Sequence, residues 1–447
     1  MTGPIEGNVT SDPDPPTGAD GPVVVIGAGI TGLTVTHELA QRGVDVLTFE
    51  ADAEPGGVIR SGTVDGHVLD WGPQRIRRTP AVDRLIEALD LEGAVLTGDS
   101  DAPLFVAVDG ELCRVPKSIG TFLRTDALSW RGKARVLREP LTDPARGDEL
   151  VADLLRRKFG HEAAENVLEP LIGGIYAGDP AAMPADPAVR SLLALEERHG
   201  SLLRAALSRI RGGGETPPPI TFGEGLQQLP RALYERHEPY VHLETPVSAV
   251  EPGEDGSGYR VRVGGRPIEA AAVVVTVPAR DAAGLLDSLA ADGLATIEPL
   301  RDLSYNSLVL VHLAADVDVT GFGYQLRRAE GFSTRGVTWN GGLFDRDGLF
   351  TAFLGGASDP GAVERDADTL ARTASEEFET VMGVAPNVLS VRSLPEVVPA
   401  YDTSWRGLGD LRLPDGIHLA TNYTGRIGVP SRVREGRQVA ERLASER

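Results

Sequence analysis

Three glycines near the amino terminus have the spacing of a phosphate-binding turn. Gly27, Gly29 and Gly32 follow an apolar run at residues 23–26 and open a segment with the apolar spacing of a helix. In such a turn the first glycine permits a sharp bend, the second lets the backbone approach a pyrophosphate, and the third allows close helix–strand packing. The helix start adds free N–H groups and a partial positive charge. The pattern therefore predicts a dinucleotide site.

A carboxylate at the end of the next strand supports this prediction. Residues 30–42 are expected to be helical and residues 44–49 to form a strand, which gives one strand–helix–strand unit. Glu50 ends that strand 18 residues beyond Gly32 (50 − 32), where it can accept hydrogen bonds from ribose hydroxyls. A tight turn without a ligand is the alternative for the glycines alone, and Glu50 counts against it.

Two further segments resemble one superfamily of flavoenzymes. Residues 55–61 (PGGVIRS) resemble the motif after the second strand in FAD enzymes of the amine-oxidase and protoporphyrinogen-oxidase superfamily, where the glycines admit the pyrophosphate and the arginine donates hydrogen bonds. Taken alone, this glycine pair would simply be a turn. Residues 416–430 (GIHLATNYTGRIGVP) precede a predicted helix at 431–446 and resemble the loop that touches the flavin ring in these enzymes. A second helix start can therefore face the flavin.

Within this superfamily the chain resembles the protoporphyrinogen oxidases. The resemblance runs colinearly from Pro22 onward and is carried by residues 169–180 (EPLIGGIYAGDP), 195–201 (LEERHGS), 222–226 (FGEGL) and 422–437. It implies FAD held without a covalent bond. The residues implied to hold it are Gly27, Ala28, Gly29, Ile30, Thr31, Gly32, Leu33, Glu50, Ala51, Gly57, Val58, Ile59, Arg60, Val247, Asn422, Ile427, Gly428 and Val429.

The same resemblance implies a substrate site. Gly174 would offer its backbone carbonyl to substrate pyrrole N–H groups, and the segments around Leu326 and Phe353 would sandwich the macrocycle. Eukaryotic members pair a substrate propionate with an arginine where this chain has Leu104. Another basic residue must then bind the propionates, because an anionic substrate approaching an acidic protein needs a local basic patch. The candidates are Arg75, which we place in the site, and Arg77, Arg78, Arg114 and Lys117.

The reaction implied by the resemblance is oxidation of protoporphyrinogen IX to protoporphyrin IX, with dioxygen as electron acceptor, in haem biosynthesis. The cofactor would carry the redox step in successive two-electron rounds, so no catalytic acid or base is assigned. Oxidation of coproporphyrinogen III is the first competing hypothesis. A second is another oxidoreductase of the superfamily, such as an amine oxidase or a carotenoid desaturase. A third is a flavin-binding regulatory or scaffold protein without turnover.

The expected fold is α/β, with a Rossmann-like FAD-binding domain, a mixed-sheet substrate domain and an inserted helical lobe. The FAD-binding domain would comprise residues 21–75, 222–283 and 396–447, the substrate domain 76–117 and 284–395, and the lobe 118–211. Glycine and proline runs at 212–214 and 217–219 predict a linker after the lobe. Residues 1–20 lack the basic and apolar segments of a secretory signal and are expected to form a disordered tail.

Composition narrows the class of protein and its surroundings. The formal net charge of −21 argues against nucleic-acid partners and, with only three lysines, suggests a halophilic source. The single cysteine fits a reduced cytoplasm, and the separated histidines predict no metal site. No run is long and apolar enough to span a bilayer. The apolar residues of 119–130 are expected to form a packed helix pair, with peripheral membrane contact as the alternative. The oligomeric state is left open.

Overall fold

The computed structural model describes residues 21–211, 216–254, 257–344, 346 and 348–446. The predicted tail at 1–20 and the glycine run at 212–214 lie outside the described residues. In chain order the strands are β1 Val23–Ile26, β2 Val46–Phe49, β3 Ser61–Val64, β4 His67–Asp70, β5 Ile76–Arg77, β6 Val95–Thr97, β7 Leu104–Val108, β8 Glu111–Arg114, β9 Pro219–Phe222, β10 Val241–His242, β11 Val247–Pro252, β12 Tyr259–Val263, β13 Arg266–Ala270, β14 Ala272–Val275, β15 Tyr305–Ala314, β16 Gly323–Leu326, β17 Thr334–Trp339, β18 Leu349–Gly355, β19 Asn387–Pro399 and β20 Ile417–Leu419.

The helices are interspersed with these strands, and several of them follow one another in the middle of the chain. They are α1 Ile30–Gln41, α2 Pro80–Ala88, α3 Ile119–Arg124, α4 Trp130–Val136, α5 Val151–Phe159, α6 His161–Ala163, α7 Glu169–Tyr176, α8 Ala185–Ala188, α9 Arg190–His199, α10 Leu202–Arg211, α11 Gln228–Arg236, α12 Ala279–Ala291, α13 Glu298–Asp302, α14 Asn340–Phe344, α15 Ala367–Met382 and α16 Val429–Ser445.

A parallel five-stranded sheet joins the two ends of the chain. Its strand order is β10-β2-β1-β14-β20, so β1 lies at the centre of the sheet, between β2 and β14, and β14 comes much later in the chain. Apolar residues of β1 are buried on both faces, because α1 and α16 cover one face while α12 and the meander β11-β12-β13 cover the other. Full burial explains why β1 is a continuous apolar run. The sheet gives the fold its Rossmann-like part.

A mixed seven-stranded sheet forms the second layer. Its order is β19-β15-β18-β17-β16-β7-β8, and its neighbours are antiparallel except for the parallel pair β16 and β7. One face is covered by α15, through Leu370, Ala374 and Phe378. The opposite face is left for other contacts. Together the two sheets confirm the predicted α/β class with a mixed second sheet.

Helices α3 to α10 form the inserted lobe, which packs on β7 and β8. A buried ion cluster fixes its interior. Lys158 of α5 is 1% exposed and forms an ion pair with Glu196 of α9, and its Nζ lies 3.7 Å from Oε1 of Glu139. Glu139 also accepts hydrogen bonds from the Ser201 hydroxyl and the Leu202 N–H at the start of α10. One lysine and two carboxylates therefore hold the lobe helices together.

Two expectations for this region are corrected. Pro219 does not belong to a free linker, because it begins the buried strand β9, which pairs with β5 and β6. The packed helix pair is also incomplete: Leu128 is buried, whereas Ile119, Leu123 and Trp130 are 48–72% exposed. In the described part of the chain no helix combines the length and apolar character needed to cross a bilayer. The domain boundaries stay predictions.

Candidate functional site

A large cavity runs from the carboxyl ends of the parallel sheet to the free face of the mixed sheet. Its volume is about 1780 Å³, and its wall includes residues of both sheets and of the lobe helix α7. Pockets for a single drug-sized ligand usually measure about 300–1,000 Å³. The cavity therefore has room for a dinucleotide and for a second ligand beside it.

Two helices begin at this cavity without side-chain caps. Gly29 and Gly428 are the residues that precede α1 and α16, both line the cavity, and neither helix has a side chain bonded to its first N–H groups. A Cβ atom added at either glycine would meet nothing within 4 Å, so both positions open into the cavity. Gly436 of α16 packs against Thr31 of α1, which sets the two helices side by side. Uncapped N–H groups and two aligned dipoles favour an anion at this end.

Glu50 lies at the rim of the cavity with its carboxylate held by the backbone. One carboxylate oxygen accepts a hydrogen bond from the Ala28 N–H at 2.7 Å, and the other accepts from the Asp52 N–H at 3.0 Å. A carboxylate has about four acceptor positions, so each oxygen retains capacity for a hydroxyl donor. The side chain is therefore fixed in place before any ligand arrives.

The second glycine pair packs directly against the first glycine turn. The Gly56 N–H donates to the Ala28 carbonyl at 2.8 Å, and Gly56 and Gly57 have φ angles of +114° and +59°, which favour glycine. The Arg60 guanidinium donates to the carbonyl oxygens of Pro55 and Glu54. Arg60 thus stabilises this turn. Because some of its guanidinium N–H groups already donate to the backbone, fewer of them are left to bind a pyrophosphate than the resemblance implies.

Most of the predicted cofactor residues line the cavity. They are Gly27, Gly29, Ile30, Thr31, Glu50, Ala51, Gly57, Val58, Ile59, Arg60, Val247, Asn422, Ile427, Gly428 and Val429. Three do not. Ala28 and Leu33 are buried in the core, and a Cβ on Gly32 would overlap the Gly27 carbonyl, so Gly32 serves the packing of α1 on β1.

Thr276 and Val277 also line the cavity and were missed from the sequence. They follow β14, which lies next to β1, so their backbone emerges at the same edge of the sheet. The Thr276 hydroxyl donates to the carbonyls of Ile26 and Gly27 and so supports the glycine turn. Recognising β14 as a neighbour of β1 would have pointed to them, because ligands bind at the carboxyl ends of parallel strands.

At the other end of the cavity the mixed sheet presents a flat face. Directly opposite residues on successive strands, all lining the cavity, are Arg392, Leu310, Phe353, Gly336 and Gln325. Residues opposite one another across a sheet lie on the same face. Leucine and phenylalanine thus form an apolar floor with a polar residue at each end.

The substrate role of Leu326 stays a prediction. Leu326 lines the cavity but is 3% exposed, and its side chain belongs to the core cluster with Val337 and Leu354 on the α15 side of the sheet. Neighbouring residues of a strand point to opposite faces, so Gln325 takes the cavity position. Gly174 and Phe353 line the cavity as expected.

Of the basic residues considered for the propionates, Arg75 alone lines the cavity among the described residues. It donates to the Thr338 hydroxyl at 3.3 Å, and burial, together with the nearby Arg77, lowers the pKa of Arg75 to about 10. The remaining four candidates point elsewhere: they are Arg77, Arg78, Arg114 and Lys117. Arg78, for example, forms ion pairs with Asp83 and Glu92.

In the described part of the chain, two further arginines without a carboxylate partner line the cavity and were missed by the sequence reasoning, whereas other arginines line it in ion pairs, among them Arg156, Arg280, Arg327, Arg328 and Arg432. The Arg392 side chain has no hydrogen-bond or ion-pair partner among the described residues. Arg335 donates to the Phe332 carbonyl, its Nε is buried without a partner in the described chain, and burial lowers its pKa. With Arg75 they place cations without carboxylate partners around the apolar floor. Such groups are suited to bind carboxylates of a ligand.

The described residues that line the cavity include no histidine, cysteine, lysine or tyrosine. Cys113 is buried in β8, away from the cavity. In the described ranges no group of three or more histidine, cysteine, aspartate and glutamate side chains has a metal-binding arrangement. The chemistry of the wall is therefore that of amides, arginines, carboxylates and apolar side chains.

Comparison with known proteins decides the family. A model for flavin-containing amine oxidoreductases matches residues 30–444. The chain belongs to the flavin-containing amine oxidoreductase family. It is a flavin-dependent oxidoreductase, as the resemblance predicted.

Relatives in this family support the resemblance to protoporphyrinogen oxidases. The chain is 27% identical to protoporphyrinogen oxidase 1 of Spinacia oleracea, over 91% of this chain and 81% of the relative. It is 25% identical to coproporphyrinogen III oxidase of Bacillus subtilis, over 93% and 96%. It is 29% identical to coproporphyrinogen III oxidase of Mycobacterium tuberculosis, over 91% and 94%.

Solved structures of the family share the fold. A protein from Exiguobacterium, provisionally named protoporphyrinogen oxidase, superposes with a TM-score of 0.78 at 23% identity, covering 95% of this chain and 99% of that one. Putrescine oxidase bound to putrescine gives a TM-score of 0.68 at 18% identity, with the same coverage. These likenesses establish the architecture. The halophilic source stays a prediction.

Proposed function

We propose that this oxidoreductase binds FAD without a covalent bond and oxidises protoporphyrinogen IX to protoporphyrin IX, with dioxygen as the final electron acceptor, in haem biosynthesis. One observation carries the proposal: a single cavity joins two uncapped helix starts to a flat apolar floor ringed by arginines that have no carboxylate partner. The names of the sequence relatives support the substrate class.

The nucleotide end of the cavity fits FAD. Gly29 and Gly428 leave open space where side chains would stand, so a pyrophosphate can approach the free N–H groups at the start of α1 and the Val429 N–H at the start of α16. Glu50 is fixed by two backbone N–H groups and can accept from ribose hydroxyls. A covalent link to the flavin would need a nucleophile such as imidazole, thiol or phenol, and none lines the described cavity. These features support non-covalent binding of FAD.

The substrate end fits a tetrapyrrole with carboxylate arms. Phe353 and Leu310 provide an apolar floor for the macrocycle, and Gly174 on α7 lines the same cavity, where its backbone carbonyl would accept from pyrrole N–H groups. A neutral, partly apolar ring would be held by packing, while Arg75 and Arg392 would bind propionates. Hydrogen bonds to a charged group contribute about 1.5–3 kcal/mol each. A small amine would leave much of this floor uncovered.

The flavin, when bound, supplies the acceptor for a hydride. The residues of this chain orient and enclose the substrate. Phe353 and Leu310 pack against the macrocycle, and the arginines fix which edge faces the nucleotide end. A bound macrocycle displaces water from the floor, which strengthens these polar contacts.

Coproporphyrinogen III is a second candidate substrate. It carries more propionates than protoporphyrinogen IX, and Arg75, Arg335 and Arg392 place a cation at several points around the floor. Relatives named coproporphyrinogen III oxidase cover as much of the chain as those named protoporphyrinogen oxidase. The preference for one substrate over the other depends on how many of these arginines bind substrate propionates at the same time.

The test is direct oxidation of each porphyrinogen in air by the purified, yellow protein, followed by porphyrin fluorescence. Heat-inactivated protein measures the spontaneous background. We expect acceleration of at least one porphyrinogen, release of hydrogen peroxide, and FAD in the supernatant after denaturation. A flavin-loaded protein that accelerates neither substrate would contradict the proposed activity, and flavin that stays attached to the denatured chain would contradict non-covalent binding.

A further inference from the structure

The Gln325 side chain has an unused carboxamide in the substrate end of the cavity. Gln325 is half-buried, lines the cavity, and has no hydrogen-bond partner for its side chain among the described residues. A carboxamide offers two N–H donors and a carbonyl oxygen with two lone pairs. Neither amide atom is fully buried, so a ligand that fills this end of the cavity would displace water from the amide and has to supply a partner in its place. The carboxamide is therefore available to a partner that is not part of the protein.

The Gln325 carboxamide occupies space that is free only because two neighbouring residues are glycines. A Cβ atom on Gly174 of α7 would fall closer than 3.0 Å to Gln325 Oε1, and one on Gly336 of β17 would lie 2.8 Å from the same oxygen. Gly336 is also the residue directly opposite Gln325 in the sheet. The carboxamide thus lies between the lobe helix and the sheet, and an alanine at either position would displace it.

The position of Gln325 on the floor decides what it can reach. Gln325, Gly336 and Phe353 are successive members of one row across the sheet, with neighbouring strands about 4.8 Å apart. Because Gly336 has no side chain, nothing stands between the Phe353 ring and the Gln325 carboxamide on this row. A macrocyclic ligand that covers the Phe353 ring would bring the polar groups at its centre towards the Gln325 carboxamide.

We propose that Gln325 is a substrate-positioning residue whose carbonyl oxygen accepts a hydrogen bond from a pyrrole N–H of the macrocycle. This inference rests on the proposed porphyrinogen substrate and adds a residue that recognises its inner nitrogens. The amide is neutral, so it binds the N–H without a charge that burial would penalise. It is not basic enough to remove the proton, and its role is therefore to fix the ring in register with the nucleotide end.

The experiment measures steady-state oxidation of the porphyrinogen, whose tetrahedral bridging carbons let each pyrrole N–H tilt out of the mean plane of the ring. Gln325→Met is compared with Gln325→Glu, which keeps an acceptor oxygen at the same place. Methionine keeps nearly the same length and shape but is only a weak acceptor. Gln41→Met, at the exposed end of α1, is the matched control.

We expect Gln41→Met to keep the wild-type KM. Gln325→Met should raise KM for the porphyrinogen about fivefold, the equivalent of one neutral hydrogen bond, with kcat little changed. Gln325→Glu should keep KM near the wild-type value, because its carboxylate oxygen can still accept from the pyrrole N–H.

Two results would overturn the inference while leaving the proposed function intact. One is an unchanged KM in Gln325→Met, and the other is a KM that rises equally in Gln325→Met and Gln325→Glu, which would indicate a role in shape alone. A wild type that does not oxidise a porphyrinogen would remove the proposed function, and the role of Gln325 with it. Flavin content and the unfolding temperature of each variant show whether the cavity is folded.

Discussion

Replacing Gly29 by alanine should remove FAD binding while leaving the fold intact. Gly29 has φ −68° and ψ 173°, which an alanine adopts without strain, and its added Cβ would meet no protein atom within 4 Å. The new methyl group would stand in the cavity at the start of α1. It would therefore occupy the place proposed for the pyrophosphate and keep the phosphates from the helix N–H groups.

The expected loss follows from the contacts that the methyl group would break. Two hydrogen bonds from backbone N–H groups to a charged pyrophosphate contribute about 3–6 kcal/mol together. At 1.4 kcal/mol for each factor of ten, FAD should bind roughly 10² to 10⁴ times more weakly. The free energy of unfolding of the flavin-free protein should change by less than about 1 kcal/mol, because alanine fits the backbone here.

The assay has two parts. FAD is titrated into the flavin-free protein and its binding is followed by flavin fluorescence, and the thermal unfolding of the same flavin-free protein is measured separately. Gly93→Ala is the matched control, since Gly93 also has open space at its Cβ but lies on an exposed turn outside the cavity. Gly32→Ala is the opposite control, because its Cβ would overlap the Gly27 carbonyl and should destabilise the flavin-free fold. Gly29→Ala that binds FAD like the wild type would refute the placement of the pyrophosphate.

Three further predictions follow from buried and cavity-lining charges. Burial and the contact with His37 lower the pKa of His237 from 6.5 to about 4. Because the unfolded chain binds the proton more tightly than the folded chain, about 3 kcal/mol of the folding stability present above pH 6.5 is lost as the pH falls towards 4. His237→Gln should flatten that fall in urea midpoints. Lys158→Met leaves two buried carboxylates without a cation and should cost about 3–5 kcal/mol in urea unfolding, a loss that neutralising both carboxylates should largely reverse. Arg392→Gln should raise KM for coproporphyrinogen III about tenfold, and by less for protoporphyrinogen IX, in steady-state assays; equal effects on both substrates would remove Arg392 from propionate binding.

The nucleotide end could be predicted from the sequence because its signals are local. Gly27 and Gly29 lie in one turn between a fully apolar strand and a helix, and Glu50 ends the next strand. Backbone geometry within some thirty residues fixes all three. The carboxyl-terminal glycine loop was recognised in the same way, although its contact with α1 depends on packing that no local pattern shows.

The substrate end could be predicted less well because its positions depend on pairing between distant strands. A register shift of one residue moves a side chain to the other face of a sheet, so the sequence did not show that Gln325, next to Leu326, lies on the floor of the cavity. Pro219 looked like linker because its partner strands β5 and β6 are more than a hundred residues away. Arg392 carries no motif at all, and only the position of β19 beside β15 brings it to the cavity.

The late position in the chain of β20, an edge strand of the parallel sheet, and of α16, which covers one face of that sheet, has a consequence for biosynthesis. While the chain is still being made, β14 keeps one unpaired edge, and the second helix start of the nucleotide pocket does not yet exist. Flavin can therefore be captured only after β20 and α16 have been synthesised. Premature termination just before Ile417 should yield a colourless, aggregation-prone product, even though every residue of the first glycine turn has been synthesised.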